Sequence, residues 1–113
     1  MDLQQLENEL EMAYALWENA SQEYRELAEE ARIYEYNLKK DISNAYAEGR
    51  ITGKNETERK AAEFTMFGEG FEGLEIAKEN EAEAYMEKEL SEIKVKLLRD
   101  ILRVKELAQI SKE

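Results

Sequence analysis

Cysteine, histidine and proline are all missing from the 113 residues, and glycine occurs only five times. Without cysteine there are no disulfides and no thiolate chemistry. Without histidine as well, the ordinary zinc ligand sets and every Ser-His-acid triad are excluded. Carboxylate-bridged di-iron bundles are disfavoured too, because they use inward Glu-x-x-His pairs. No D-x-[DN]-x-[DN]-G calcium loop occurs. The missing proline has a structural meaning, since proline in a helix interior costs about 3 kcal/mol. No apolar run approaches the roughly 20 residues of a membrane span, and no charged-then-apolar leader follows Met1. The expectation is therefore a soluble, cytoplasmic, non-enzymatic protein with no metal and no cofactor.

Basic residues are also in short supply. Lys and Arg number 16 against 27 Asp and Glu, a net charge of −11. That surplus opposes direct nucleic-acid binding, which draws its affinity from Lys and Arg on phosphates, and it steers toward a basic protein partner. Charged residues make up 38% of the chain and apolar ones 42%. This is too apolar for a disordered acidic tail, and the Ala, Glu, Lys, Leu and Arg content is that of long helices.

The apolar residues run at helical spacing. Leu3, Leu6, Leu10, Ala13, Trp17, Ala20, Tyr24, Leu27, Ala31, Tyr34 and Leu38 alternate steps of three and four, the mark of one narrow apolar seam. Asp41 interrupts the pattern, and Ile42 and Ala45 resume it one position over. Large and small side chains alternate, which suits interdigitation with a facing helix. A second arm carries Leu90, Ile93, Leu97, Ile101, Val104 and Ala108, with Leu98, Leu102 and Leu107 widening the face. Its breadth asks for a further neighbour beyond the first arm.

Between the arms lies EGRITGKNETER, residues 48–59. A P-loop needs G-x-x-x-x-G-K-[ST] after a strand. Here the glycine spacing is one short, Asn55 replaces the hydroxyl, and a helical pattern precedes it. A joint accounts for the same residues. Gly49 closes the first helix in the left-handed conformation, Ile51 tucks over the core, and Asn55 caps the second helix with Glu58 reaching back. Gly53 completes the turn. The expectation is an all-α, long antiparallel helical hairpin of one domain, assembled into a dimeric bundle. Its first helix spans about 2–48, its turn 49–55, and its second arm about 56–67 and 74–111. A glycine-rich kink or break at 68–73 separates the two parts of that arm; the alternative is a continuous helix whose glycines allow close approach of another backbone.

FTMFGEGFEGL, residues 64–74, holds Phe64, Phe67, Phe71 and Leu74 at helical spacing through Gly68, Gly70 and Gly73. Two readings stand. The phenylalanines plug the bend, or Phe64, Met66, Phe67 and Phe71 anchor a protein partner, with Glu69 and Glu72 beside them. Charge is segregated as well: residues 31–60 hold seven bases, and residues 1–30 and 61–90 hold nine acids each. Doubling back at the joint places Arg32, Lys39 and Lys40 near Glu63, Glu69 and Glu72. It also places Glu7, Glu9 and Glu11 near Lys94, Lys96, Arg99 and Arg103.

The joint and second arm, through Gly53, Lys54, Asn55, Glu56, Arg59 and Ala61, resemble a set of small helical-hairpin proteins of tailed bacteriophages and prophages. The set has no established shared activity, and the FGEGFEGL segment departs from its smoother Ala and Leu pattern. The resemblance implies a phage-encoded protein of the host cytoplasm. Combined with the charge, it gives an acidic helical binding protein that inhibits or modulates a host or defence protein, with carboxylates standing in for phosphates. The alternatives are an accessory protein of phage replication or recombination, or a coiled-coil scaffold. Direct nucleic-acid binding through Lys39, Lys40, Arg50, Lys54, Arg59 and Lys60 ranks below these, because the acidic flanks repel a duplex.

Overall fold

The computed structural model describes residues 1–112. Among them are two α-helices, α1 (Leu3–Ala47) and α2 (Glu56–Lys112), and no strand. The chain is an antiparallel helical hairpin whose packing divides into two units. One combines Met1–Arg25 with the chain from Ala82 onward; the other is Glu26–Glu81, which contains the elbow.

Helix α1 starts on a reciprocal cap. The Gln5 amide N–H donates to Asp2 Oδ1 at 2.7 Å, and the Asp2 N–H donates to Gln5 Oε1 at 2.9 Å, so two orphan donors of the first turn are satisfied. Its inner face follows the three–four pattern: Leu6, Ala13, Ala31, Leu38 and Ala45 are buried, and Leu10, Trp17, Ala20, Tyr24, Leu27 and Ile42 are half-buried. The helix stops at Gly49, whose φ of +72° is left-handed. The Arg50 N–H reaches back to the Ala45 carbonyl at 2.8 Å and the Gly49 N–H to that of Tyr46 at 3.1 Å. These two bonds are a Schellman closure.

In the first unit, Leu6, Ala13, Val95 and Leu98 form a buried cluster with Leu10, Trp17 and Leu102 packed on it. The face of α2 turned inward is therefore the one bearing Ala84, Ser91, Val95, Leu98 and Leu102. The sequence pattern points instead to Leu90, Ile93, Leu97, Ile101, Val104 and Ala108 as the main seam, and the structure corrects this. Those residues are exposed, with Leu90 62%, Leu97 57% and Val104 66% open. The physical reason is size. The α1 seam carries bulky Trp17 and Tyr24, and the small Ala84 and Ser91 and the slender Val95 leave room for them where a row of leucines would not. Toward the middle of the hairpin, Tyr24 meets Tyr85 edge-on at 5.4 Å between centroids, and the Lys88 ammonium lies 5.3 Å from each ring.

In the second unit, α2 departs from helical geometry once, at Phe67 (φ −116°, ψ 18°), and then runs on through Gly68, Gly70 and Gly73. The bend sits at the edge of the glycine segment, not across 68–73. Two local causes flank it. Thr65 Oγ1 donates to the Ala61 carbonyl at 3.0 Å, a back-bond that bends helices, and Gly68 follows immediately. The later glycines allow close approach by α1. A Cβ on Gly73 would stand 2.8 Å from Tyr34 Cζ, and one on Gly70 would stand 2.7 Å from Leu38 Cδ1, whereas one on Gly68 would meet nothing within 4 Å.

Opposite signs follow for two alanine substitutions. Gly68→Ala gains helix propensity and is expected to stabilise by about 0.5–1 kcal/mol. Gly73→Ala must displace the Tyr34 ring and is expected to lose about 1 kcal/mol net of that gain. Urea unfolding followed by helical circular dichroism should move the two midpoints in opposite directions. Equal gains would show that Tyr34 does not rest on Gly73.

The charges also pair differently from the sequence expectation. Arg32 bonds Glu29 on its own helix at 2.6 Å, Lys39 bonds Glu35 at 3.2 Å, and Lys96 bonds Glu92 at 3.3 Å. Pairs three and four residues apart on one helix are closer at hand than partners on the other arm. Between the arms, Lys78 reaches Glu35 at 3.6 Å, and Arg99 donates to the Tyr14 hydroxyl at 3.4 Å.

Candidate functional site

The elbow fixes the start of α2. Asn55 Oδ1 accepts the Glu58 N–H at 2.9 Å, and the Asn55 carbonyl accepts the Arg59 N–H at 3.1 Å. Glu58 does reach back, but to the Lys54 N–H at 2.7 Å and not to that of Asn55, so the box closes one residue earlier than the sequence reading has it. Glu56 and Glu58 also complement the helix dipole. Gly53 packs tightly here, since a Cβ on it would lie 2.9 Å from the Arg59 backbone nitrogen. Ile51 is 4% exposed and plugs the joint. The Lys54 and Glu58 amide N–H groups and the Asn55 and Glu58 side chains are thus bonded within the cap itself, and Gly53 is packed against the first turn of α2.

Two turns beyond the elbow, within the second unit, an open groove of about 630 Å³ is lined by Lys39 and Ile42 of α1 and by Lys60, Glu63, Phe64 and Phe71 of α2. Phe64 stands 66% exposed at its edge, and Phe71 and Ile42 are half-buried. Helical spacing places Phe64 and Phe71 two turns apart on one side of α2, and α1 supplies the opposite wall. Its electrostatics are nearly neutral. Lys39 is held by Glu35 at 3.2 Å, and Lys60 lies 3.9 Å from Glu63. The Glu35 carboxyl is held below the usual range by its hydrogen bond to Lys39 and by the charges of Lys39 and Lys78. The Tyr46 hydroxyl donates to Glu63 across the arms, and that bond, with burial, pushes the phenol above its ordinary value. Glu63 is thereby engaged by both helices. The groove offers an apolar floor with its charges already paired.

Of the sequence candidates, Phe64 and Phe71 share this groove. Phe67 is half-buried at the kink. Met66, Glu69 and Glu72 are exposed and do not line it. Sequence reasoning missed Lys39, Ile42, Lys60 and Glu63 as lining residues. Ile42 carried a signal, as the position where the α1 seam shifts by one after Asp41.

Among the described residues, no group of three or more acidic side chains is placed to hold a metal ion, and no helix is long and apolar enough to cross a membrane. Comparison with protein-family models, with curated proteins and with solved structures found no match.

Proposed function

We propose that the chain is a non-enzymatic protein-binding hairpin that seats an apolar anchor of a basic partner in the groove between Phe64 and Phe71. The observation that carries this is Phe64 itself. A phenylalanine two-thirds exposed at the edge of an apolar groove gains most by being covered, at about 1.5–3 kcal/mol for full burial. Aromatic anchors beside a pocket are where binding energy concentrates. The charge of −11 favours a basic partner through long-range steering, while the paired amines of the groove leave its floor to an apolar group. The resemblance of the joint to small phage proteins supports the narrower reading: an inhibitor or modulator of a host or defence protein in the host cytoplasm, whose carboxylates occupy a surface built for nucleic acid.

The test compares wild type with Phe64→Ala/Phe71→Ala in pull-downs from bacterial lysate at low and high salt. The expected result is a nucleic-acid-handling partner retained by wild type. It should be released by added DNA, lost by roughly tenfold or more in the variant, and weakened by salt. A partner indifferent to salt, to DNA and to both phenylalanines would overturn the reading. The exposed outer face of α2 favours a second reading, a self-assembling scaffold, and that face has consequences of its own.

A further inference from the structure

In the first unit, α2 has two apolar faces. One is packed on α1; the other carries Met86, Leu90, Ile93, Leu97, Ile101 and Val104, all exposed. Along a helix these lie within one stripe, opposite Ala84, Val95 and Leu98. Taking roughly 100 Å² of apolar surface per aliphatic side chain, with all but Ile101 more than half open, the stripe leaves on the order of 350 Å² uncovered. A contiguous patch of that size is about the largest a soluble monomer leaves open, and such patches are often functional.

The spacing says what covers it. From Met86 the steps are four to Leu90, three to Ile93 and four to Leu97, then four to Ile101, three to Val104 and four to Ala108. The series reads the same in both directions about Leu97. A stripe with that symmetry matches itself when a second copy runs antiparallel across a two-fold axis at Leu97, with Ile93 level with Ile101 and Leu90 level with Val104. Isologous contacts of this kind are how most homodimers close. The charges agree. In that arrangement Glu89 of one copy comes level with Lys105 of the other, Lys88 with Glu106, and Lys94 with Asp100. A parallel pairing would set acid against acid and base against base. From residue 82 to 112 the chain holds six acids and seven bases, so the stripe lies on the length where the overall negative charge does not oppose association.

We infer that the outer face of α2, centred on Leu97, is the interface of an antiparallel homodimer in which two hairpins form a four-helix arrangement. The partner is a second copy of this chain. The inference is independent of the Phe64 groove, which lies in the other unit.

Sedimentation equilibrium over micromolar concentrations tests it. Wild type should show twice the chain mass. Leu97→Glu, which places carboxylates at the axis, should weaken association about 100-fold or more, with helical circular dichroism unchanged because Leu97 is not part of the buried cluster. Ile93→Ser provides a milder variant of the same sign. Direction is read from single cysteines, since the chain has none of its own. Under oxidation Leu97→Cys should cross-link to itself, Leu90→Cys alone should not, and Leu90→Cys mixed with Val104→Cys should give the hetero-cross-link. A wild type that stays monomeric would overturn the proposal and assign the stripe to a different protein. Self-cross-linking of Leu90→Cys would overturn the antiparallel arrangement.

Discussion

Val95→Asp is expected to unfold the first unit, while Leu97→Asp, two residues further on, leaves it folded. Val95 is 1% exposed in the cluster with Leu6, Ala13 and Leu98, and an aspartate there has no cation to pair with in that cluster. A buried, uncompensated carboxylate costs about 3–5 kcal/mol, a large part of the 5–15 kcal/mol that holds a small domain together. Leu97 is 57% open, so a carboxylate there stays in water and costs the hairpin within about 0.5 kcal/mol. Its effect appears through self-association, so it grows with protein concentration. Trp17 is the single tryptophan and packs on the cluster, so its emission reports the difference directly: red-shifted in Val95→Asp, unchanged in dilute Leu97→Asp. The reverse pattern would mean that α2 is rotated by half a turn from the packing described.

At the other end of the hairpin, Ile51→Ala is expected to cost about 2–5 kcal/mol, the range for truncating a buried isoleucine. Ile51 is the one large side chain that the elbow buries. It follows a Schellman closure in which Arg50 and Gly49 are tied to Ala45 and Tyr46, and the apolar plug behind that closure holds the reversal in place. Thr52→Ala, at an exposed neighbour, should stay within about 0.5 kcal/mol. Urea unfolding separates the two. An Ile51→Ala midpoint matching that of Thr52→Ala would show that the elbow needs no plug.

Some of this was legible in the sequence, for reasons that differ along the chain. The elbow was the most readable part. Its instructions are local: a left-handed glycine, an asparagine cap and a glutamate three residues on. Only the acceptance of the Lys54 N–H by Glu58 lay outside what spacing alone could choose. The α1 seam was readable because that helix has one apolar face. Helix α2 has two, and the richer one, from Leu90 to Val104, looked like the core. What decides between them is the bulk of Trp17 and Tyr24 on the other arm, a property of the pair and not of either sequence. The bend was anticipated in the glycines, yet the glycines stay helical and Phe67 departs from helix instead. Helical Phe spacing marked Phe64 and Phe71, but the groove also needs Lys39 and Ile42 from the opposite arm, and no single-strand pattern sets that register.

All of the packing above requires that the two arms lie against each other within one chain. Spin labels on Tyr14→Cys and Arg99→Cys, whose side chains meet at 3.4 Å in the hairpin, test it most directly in protein diluted with unlabelled chain. Helices packed 8–10 Å apart place the labels within about 20 Å of each other, so one short distance that survives dilution is expected. A separation of several tens of ångströms, or a short distance that fades as unlabelled chain is added, would contradict it.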